Sequence, residues 1–492
     1  MKRSAGILCP IFSLPSNYGI GTLGQSAYDF IDFLSDSNQT YWQILPIGGT
    51  GYGDSPYQSF SIYAGNPYFI DLDELIQEDL LKKEEVQTLE WGTSTSHIEY
   101  NTLYDLRFKV LKIAVKRFLN QPTKDYIDFC QKESNWLIDY SLFMSIKQYF
   151  NGKPFLEWPI SYRLKEEGAI SYLKEELKDE IEFWKVCQYF FFQQYFKLKD
   201  YANSKGIQII GDIPIYVALD SVDVWSNPEL FQLDSMRQPI DVAGCPPDGF
   251  SADGQLWGNP LFRWDVMEKD QYAWWIQRIK HQLRFVDVLR IDHFRGFESY
   301  YSIPFGSKNA RHGVWEKGPG YPFFEIVKNQ VPNAKIIAED LGFLTDEVIE
   351  LVKQCGFPGM KILQFAFDSR DTGSGYLPHM YIHNSVAYTG THDNDTIVGW
   401  YTSCASEDRE FANQYLNINS DQEIHWQMIR AVLASVSNLA IIPIQDYLGY
   451  NSNGRINIPS TTGNNWTWRL KQDELNETLS SQIADMTRLY GR

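Results

Sequence analysis

Eight short apolar runs punctuate the chain, at 6–12, 41–47, 207–217, 285–291, 334–338, 360–367, 385–388 and 439–444. Several are continuously apolar rather than alternating, the pattern of strands covered on both faces. Between the runs the apolar positions change period. Leu23, Ala27, Phe30, Ile31 and Leu34 recur at helical spacing, as do Tyr272, Trp275, Ile276, Ile279 and Leu283. Strands alternating with helices predict a parallel sheet of the α/β class. Eight such strands predict a closed (β/α)8 TIM barrel, with an open doubly wound sheet as the alternative.

The spacing of the runs is uneven. About 160 residues separate the second from the third, too long for bare loop in a compact domain. That stretch has helical periodicity of its own, as at Leu103, Leu106, Val110, Leu111 and Val115, and it predicts a mainly helical inserted subdomain over 68–200. A shorter insertion is expected over 218–265. It carries Gly244-Cys245-Pro246-Pro247-Asp248-Gly249-Phe250-Ser251, a mobile-loop composition that suits an active-site lid. Leu475, Leu479, Ile483, Met486 and Leu489 predict an amphipathic helix at the C-terminal end. With no repeat, low-complexity tract or linker between them, residues 1–492 read as a single catalytic barrel with helical insertions.

Composition narrows the function classes. The formal charge is −18 and the isoelectric point about 4.9, which makes the chain a poor partner for nucleic acid or an anionic membrane. No apolar stretch approaches the length of a membrane span. The run after Met1-Lys2-Arg3-Ser4 meets Pro10 at once and lacks the form of a signal peptide. The six cysteines are scattered without a CxxC pair, so they read as reduced thiols of a cytoplasmic protein. The chain has 15 Trp and 30 Tyr, mostly core by expectation, with a part left to line a groove for a flat neutral ligand such as a sugar.

Gly19-Ile20-Gly21-Thr22-Leu23-Gly24 fits the dinucleotide-binding pattern GxGxxG, which would make the chain an oxidoreductase. The glycines stand too far past the first strand for the tight turn that pattern requires, and the second strand ends in Leu45-Pro46-Ile47 where a ribose-binding acid belongs. A glycine-rich loop at a barrel rim is the simpler reading.

Polar groups stand at four otherwise apolar strand ends: Asp212 in the third, Arg290 and Asp292 in the fourth, Glu339 in the fifth, and His392 with Asp393 in the seventh. On a barrel these ends converge at the mouth where active sites lie. Arg290 and Asp292 are two apart on a strand and share a face. A fixed cation beside Asp292 favours its ionised form, suited to attack an anomeric carbon. Glu339 follows Ile336-Ile337-Ala338, and desolvation there favours a protonated carboxyl that can donate to a leaving oxygen. One ionised and one protonated carboxyl are what a retaining glycosidase needs. From the residues alone, Arg290, Asp292 and Asp212 read equally well as a buried ion-pair network that only holds the barrel. A metal site from His392, Asp393 and Asp395 is not expected, since no second His falls at ligand spacing.

The chain resembles, almost end to end, the 4-α-glucanotransferases known as amylomaltases or disproportionating enzymes, glycoside hydrolase family 77 of the α-amylase clan. The resemblance rests on Gly53-Asp54-Ser55-Pro56-Tyr57-Gln58, Ala64-Gly65-Asn66-Pro67 and Gly211-Asp212-Ile213-Pro214-Ile215-Tyr216. It continues in Trp257-Gly258-Asn259-Pro260, Leu289-Arg290-Ile291-Asp292-His293-Phe294-Arg295-Gly296, Ala338-Glu339-Asp340-Leu341-Gly342 and Gly390-Thr391-His392-Asp393-Asn394.

The resemblance implies a barrel without a C-terminal β-sandwich. It implies transfer of an α-1,4-glucan segment to the 4-hydroxyl of an acceptor sugar, with Asp292 as nucleophile, Glu339 as acid/base and Asp393 as transition-state stabiliser. It places Tyr57, Asp212, Arg290 and His392 at the donor sugar, Trp257 along the glucan groove, and adds Asn465 and Trp466 as substrate-binding residues. It implies maltooligosaccharides and α-1,4-glucans as partners and no cofactor or metal. A monomer or weak homodimer is expected. The chain departs from the family pattern at Gly249, where some members carry an aromatic, and at Asn457-Ile458-Pro459-Ser460, where Asn-x-Pro-Gly is usual. The rival functions are an α-amylase-like hydrolase and a non-catalytic glucan-binding protein.

Overall fold

The computed structural model describes residues 2–51, 53–247, 251–342, 344–371, 373–418 and 423–492. The eight expected strands are Ser4–Leu8, Tyr41–Gln43, Gln208–Ile213, Val288–Ile291, Ile336–Ala338, Gly359–Ile362, Ser385–Tyr388 and Leu439–Pro443. They form one sheet in which every pairing is parallel. The first strand lies between the eighth and the second, so Ile7 faces Ile442 on one side and Trp42 on the other. The two ends of the sheet, the fifth and sixth strands, meet through local hydrogen bonds. The Ala338 N–H donates to the Pro358 carbonyl at 3.0 Å, and the Met360 N–H donates to the Asp340 carboxylate at 2.6 Å. The ring is thereby a barrel and not an open sheet. Ile7, Trp42, Ile210, Leu289, Ile337, Val386 and Ile441 are buried in its wall, and helices cover its outer face, hence the unbroken apolar runs.

The strands are shorter than those runs. The first ends at Leu8, because Pro10 has no N–H to continue the ladder, and the chain turns into a 3-10 helix at Ile11–Ser13. The sixth ends at Ile362 and the remaining apolar residues form another 3-10 turn, Leu363–Ala366. In both places apolarity reports burial against the barrel mouth rather than extended backbone.

Helix Gln25–Asp36 buries Ala27, Phe30, Ile31 and Leu34, and helix Ala273–Phe285 buries Trp275, Ile276 and Ile279, as their spacing predicts. The C-terminal helix, Glu477–Leu489, differs from its expectation at both ends, since Leu475 precedes it. Ile483 and Met486 face the core, but Leu489 is 66% exposed and Thr487 is buried instead. Thr487 accepts from Gln39 Nε2 at 2.9 Å and donates to the Ile483 carbonyl at 2.8 Å, so a satisfied hydroxyl holds the position.

The connection between the second and third strands carries the long helices Tyr100–Phe118, Ser134–Tyr149 and Lys178–Ser204. Much of the aromatic content packs here edge to face, for example Phe129 on Phe192 and Phe118 on Phe190. Past the third strand, Asp241–Cys245 and Gln255–Pro260 pair antiparallel. They are joined by Ser299–Pro304 and Val314–Lys317, which follow the fourth barrel strand. The small sheet beside the mouth is thus drawn from two loops, of which the sequence pattern indicated one. The Gly249 position lies outside the described residues.

In the GxGxxG segment the glycines serve packing. A Cβ on Gly21 would sit 1.9 Å from the Ile11 carbonyl oxygen, and one on Gly24 would sit 2.1 Å from Asp71 Oδ2. Gly24 caps helix Gln25–Asp36, and the buried Asp71 carboxylate, which accepts from Thr22 Oγ1 at 2.7 Å, abuts that helix end. A protein carboxylate takes the place a pyrophosphate would need. At the opposite end of the barrel, Arg3 donates to the Leu433 and Ser435 carbonyls and Arg492 to that of Ser4.

Candidate active site

The floor of the mouth is an ion pair between adjacent strands. Asp212 and Arg290 are register partners on the third and fourth strands. Arg290 Nη1 donates to both Asp212 oxygens, at 2.7 and 2.6 Å, and to Asp292 Oδ1 at 2.9 Å. The Asp212 carboxylate is wholly buried, whereas Asp292 keeps 28% of its side chain exposed at the mouth. Asp292 is the first residue past its strand, and its N–H donates to the Ile213 carbonyl at 2.9 Å, which fixes its height. Burial alone would lower the Arg290 pKa, but Asp212 and Asp292 outweigh it and hold the guanidinium well above its usual value. Burial pushes the Asp212 carboxyl upward, opposed by Arg290.

A second layer stands above this pair. The Tyr57 hydroxyl donates to Asp212 Oδ2 at 2.8 Å, and its ring stacks on His392 with centroids 5.1 Å apart. His392 Nε2 lies 3.4 Å from Asp393 Oδ2. Asn457 Nδ2 donates to the other Asp393 oxygen at 2.6 Å, and Arg455 Nη2 to the Asp393 carbonyl at 2.7 Å. Partial burial works against ionisation of Asp393, yet His392 and Asn457 bring it down to about 2. Desolvation would lower His392, but Asp393 raises it above the usual histidine value. Trp466 is buried with a left-handed backbone (φ 63°) and closes this side with its ring 5.8 Å from Tyr57 and 5.9 Å from His392.

Glu339 occupies the facing wall, one residue past the fifth strand. Its N–H donates to the Ile291 carbonyl at 3.0 Å, tying it to the strand that carries Asp292. Its carboxylate accepts from the His293 N–H at 2.6 Å and the Leu341 N–H at 2.9 Å. Burial, and after it the negative charge of Asp292, push Glu339 up to about 7. The two carboxyl groups thus differ in partner: Asp292 has a guanidinium, Glu339 has backbone amides and a desolvated wall.

Trp257 packs the edge of its ring against His293 at 4.8 Å between centroids, lining the Glu339 side. Asn465 does not join the cluster. It is half-buried, and its amide works within its own loop, accepting from the Ile458 N–H and donating to the Thr461 carbonyl, both at 3.1 Å. Asn457 and Arg455 were not singled out as site residues in the sequence. The signal was present for Asn457, which heads the segment that departs from the family pattern. Asp446 carries no such signal: buried in the short helix Ile444–Tyr447 that follows the eighth strand, it accepts from Thr389 Oγ1 at 2.6 Å and from the Ile397 N–H at 2.8 Å, bracing both flanks of the loop that carries His392 and Asp393. Among the described residues no group of three His, Cys, Asp or Glu is arranged to hold a metal ion, and no helix is long and apolar enough to cross a membrane.

Residues 9–475 match the family model described as 4-alpha-glucanotransferase. The chain is similar to a 4-alpha-glucanotransferase of Clostridium butyricum, 49% identical over 484 residues that cover 98% of this chain and 99% of that protein. It is likewise 49% identical to a 4-alpha-glucanotransferase of Streptococcus pneumoniae serotype 4, over 100% of this chain and 98% of that one. Its backbone is similar to that of an amylomaltase from Streptococcus agalactiae solved in complex with acarbose, with a TM-score of 0.98 at 42% identity and full coverage of both chains.

Proposed function

This chain belongs to glycoside hydrolase family 77, the 4-alpha-glucanotransferases, and from that premise we propose that Asp292 is its nucleophile, Glu339 its acid/base and Asp393 its transition-state stabiliser. The enzyme moves an α-1,4-glucan segment from donor to acceptor by a retaining double displacement. Asp292 attacks the anomeric carbon of the donor while Glu339 protonates the departing glycosidic oxygen, leaving a covalent β-glucosyl-enzyme. Glu339, now a carboxylate, takes the proton from the 4-hydroxyl of an acceptor sugar, whose oxygen displaces Asp292 and restores the α configuration.

The observation that carries this assignment is the unequal setting of the two carboxyl groups. Asp292 lies 2.9 Å from Arg290 Nη1, while Glu339 is desolvated and pushed up to about 7. When Asp292 is esterified its charge disappears, and the part of the Glu339 shift due to that charge goes with it. The same carboxyl then becomes a better base for the second half of the reaction.

The remaining residues hold substrate. Asp393, kept ionised, and His392 accept and donate to sugar hydroxyls in the distorted, oxocarbenium-like state. Tyr57, Asp212 and Trp466 shape the donor pocket and Trp257 the acceptor wall. Maltooligosaccharides and α-1,4-glucans are the substrates, consistent with the acarbose bound to the similar amylomaltase. The helical insertion over 68–200 and the insertion over 218–265 are connections of a single catalytic barrel. We take the protein to be a cytoplasmic monomer or weak homodimer.

Maltotriose tests the reading. Transfer gives glucose together with chains longer than the substrate, and Asp292→Asn abolishes both without unfolding the protein. Products only shorter than maltotriose would point to hydrolysis, and wild-type-like activity in Asp292→Asn would remove the nucleophile assignment.

A further inference from the structure

The residue after the proposed nucleophile has an uncommon backbone. His293 sits in the left-handed region at φ 49°, ψ 49°, where side chains other than glycine seldom go, although Asn, Asp and His enter it more readily than others. The bend has a definite product. It sets the angle between two successive peptides so that both reach Glu339: the His293 N–H donates to Oε2 at 2.6 Å, and the next N–H, of Phe294, to the Glu339 carbonyl at 3.1 Å. The ring itself packs elsewhere: its centroid lies 4.8 Å from that of Trp257, and a Cβ on Gly296 would stand 3.2 Å from its Cδ2. Burial keeps the imidazole neutral, at about 4, so the ring brings no charge to the neighbouring carboxyl groups.

We infer that His293 is a positioning residue, whose left-handed backbone lets its amide and the next both stay on Glu339 and so sets when the acid/base holds its proton. The inference rests on the assignment of Glu339 above. An N–H donor stabilises the carboxylate over the acid. It therefore opposes the upward push from burial and from Asp292, and it steadies Glu339 in the ionised form that must wait for the acceptor. The charged and titratable groups that face Glu339 are Asp292 and Arg290 from the fourth strand and Tyr376 from the loop after the sixth, with Asp340 beside it on its own segment. The His293 amide differs from all of these. It belongs to the peptide that joins it to Asp292, so nucleophile and acid/base are linked through a single peptide group.

Three variants separate backbone from ring. His293→Gly and His293→Asn tolerate the left-handed region, whereas His293→Val does not. We expect the alkaline limb of the kcat/KM profile on maltotriose to stay in place for the first two. For His293→Val it moves up by about half to one pH unit, and kcat falls about 10- to 100-fold, the worth of one hydrogen bond to a charged group. If His293→Gly moves the limb as far as His293→Val, the ring and not the backbone is responsible and the inference fails. A second measurement needs no substitution at His293. In 15N-histidine-labelled wild-type protein the His293 amide proton moves downfield as the pH passes about 7, and that movement is lost in Glu339→Gln. An amide resonance indifferent to pH would overturn the inference even while maltotriose disproportionation, and its loss in Glu339→Gln, left the catalytic assignment standing.

Discussion

Replacing Asp292 with Asn removes one negative charge from the mouth while preserving the size of the side chain. Glu339 is pushed up to about 7 first by burial and second by that charge. The substitution leaves burial untouched and deletes the second cause, and a neighbouring negative charge disfavours a carboxylate, so Glu339 must fall. The size follows from the separation. Carboxyl pairs in retaining glycosidases stand about 5–5.5 Å apart. At an effective dielectric constant of 20 a unit charge at that range contributes about 3 kcal/mol, or about two pH units. Water at the partly open mouth reduces this, so Glu339 in Asp292→Asn is expected to titrate about one to two pH units below wild type. Carboxyl 13C NMR of glutamate-labelled protein measures it, with Glu339→Gln identifying the resonance. A titration unchanged between wild type and Asp292→Asn would refute the electrostatic link between the two groups, and with it the account of how one carboxyl serves as acid and then as base.

Three further outcomes follow from the geometry. Asn457→Ala deletes the 2.6 Å hydrogen bond to Asp393 and is expected to lower kcat on maltotriose about tenfold, the worth of a charge-assisted hydrogen bond; an unchanged kcat would remove Asn457 from the machinery. Asp446 is pushed by burial to about 7, against about 3.9 in the unfolded chain, so between those values the folded state binds more protons and stability falls as pH rises. In urea unfolding at a series of pH values, Asp446→Asn should therefore gain on wild type by about 1–3 kcal/mol between pH 5 and pH 8; a constant difference would contradict the buried acid. Gly24→Ala drives a methyl to within 2.1 Å of Asp71 Oδ2 and should cost about 1–3 kcal/mol in the same assay, with no site for a nucleotide lost because none is present at that helix end.

Much of the barrel was legible because its strands are buried on both sides, which leaves continuous apolar runs, and because the helices between them change the period to 3.6. Strand ends were less legible: residues 363–367 are as apolar as the strand before them, yet they turn into a 3-10 helix under the mouth. The small antiparallel sheet was half seen, since Ser299–Pro304 and Val314–Lys317 are short and one of them is an exposed edge with no burial pattern to mark it. At the site, Arg290 and Asp292 could be paired from their spacing on one strand, and Glu339 could be placed in a desolvated wall from the three apolar residues before it. The contacts between distant segments could not. Nothing local to Asn457 announces Asp393, and nothing in Asp446 announces Thr389 and Ile397, because those bonds join strand ends that come together only when the ring closes. The left-handed turn at His293 was hidden for a related reason: the residue looked like part of a motif, and its peptide N–H has no letter in the sequence.

The ring has a temporal consequence. Ser4–Leu8 is made long before its partner Leu439–Pro443, and the Arg492 bond to the Ser4 carbonyl spans 488 residues. At about 5–20 residues per second, a ribosome needs roughly half a minute to a minute and a half to cover that interval. Throughout it the nascent first strand has one bare edge, the kind of surface that recruits other chains. The barrel of this enzyme can therefore be completed only after Leu439–Pro443 has been made, and the partly made chain is the stage most in need of a chaperone.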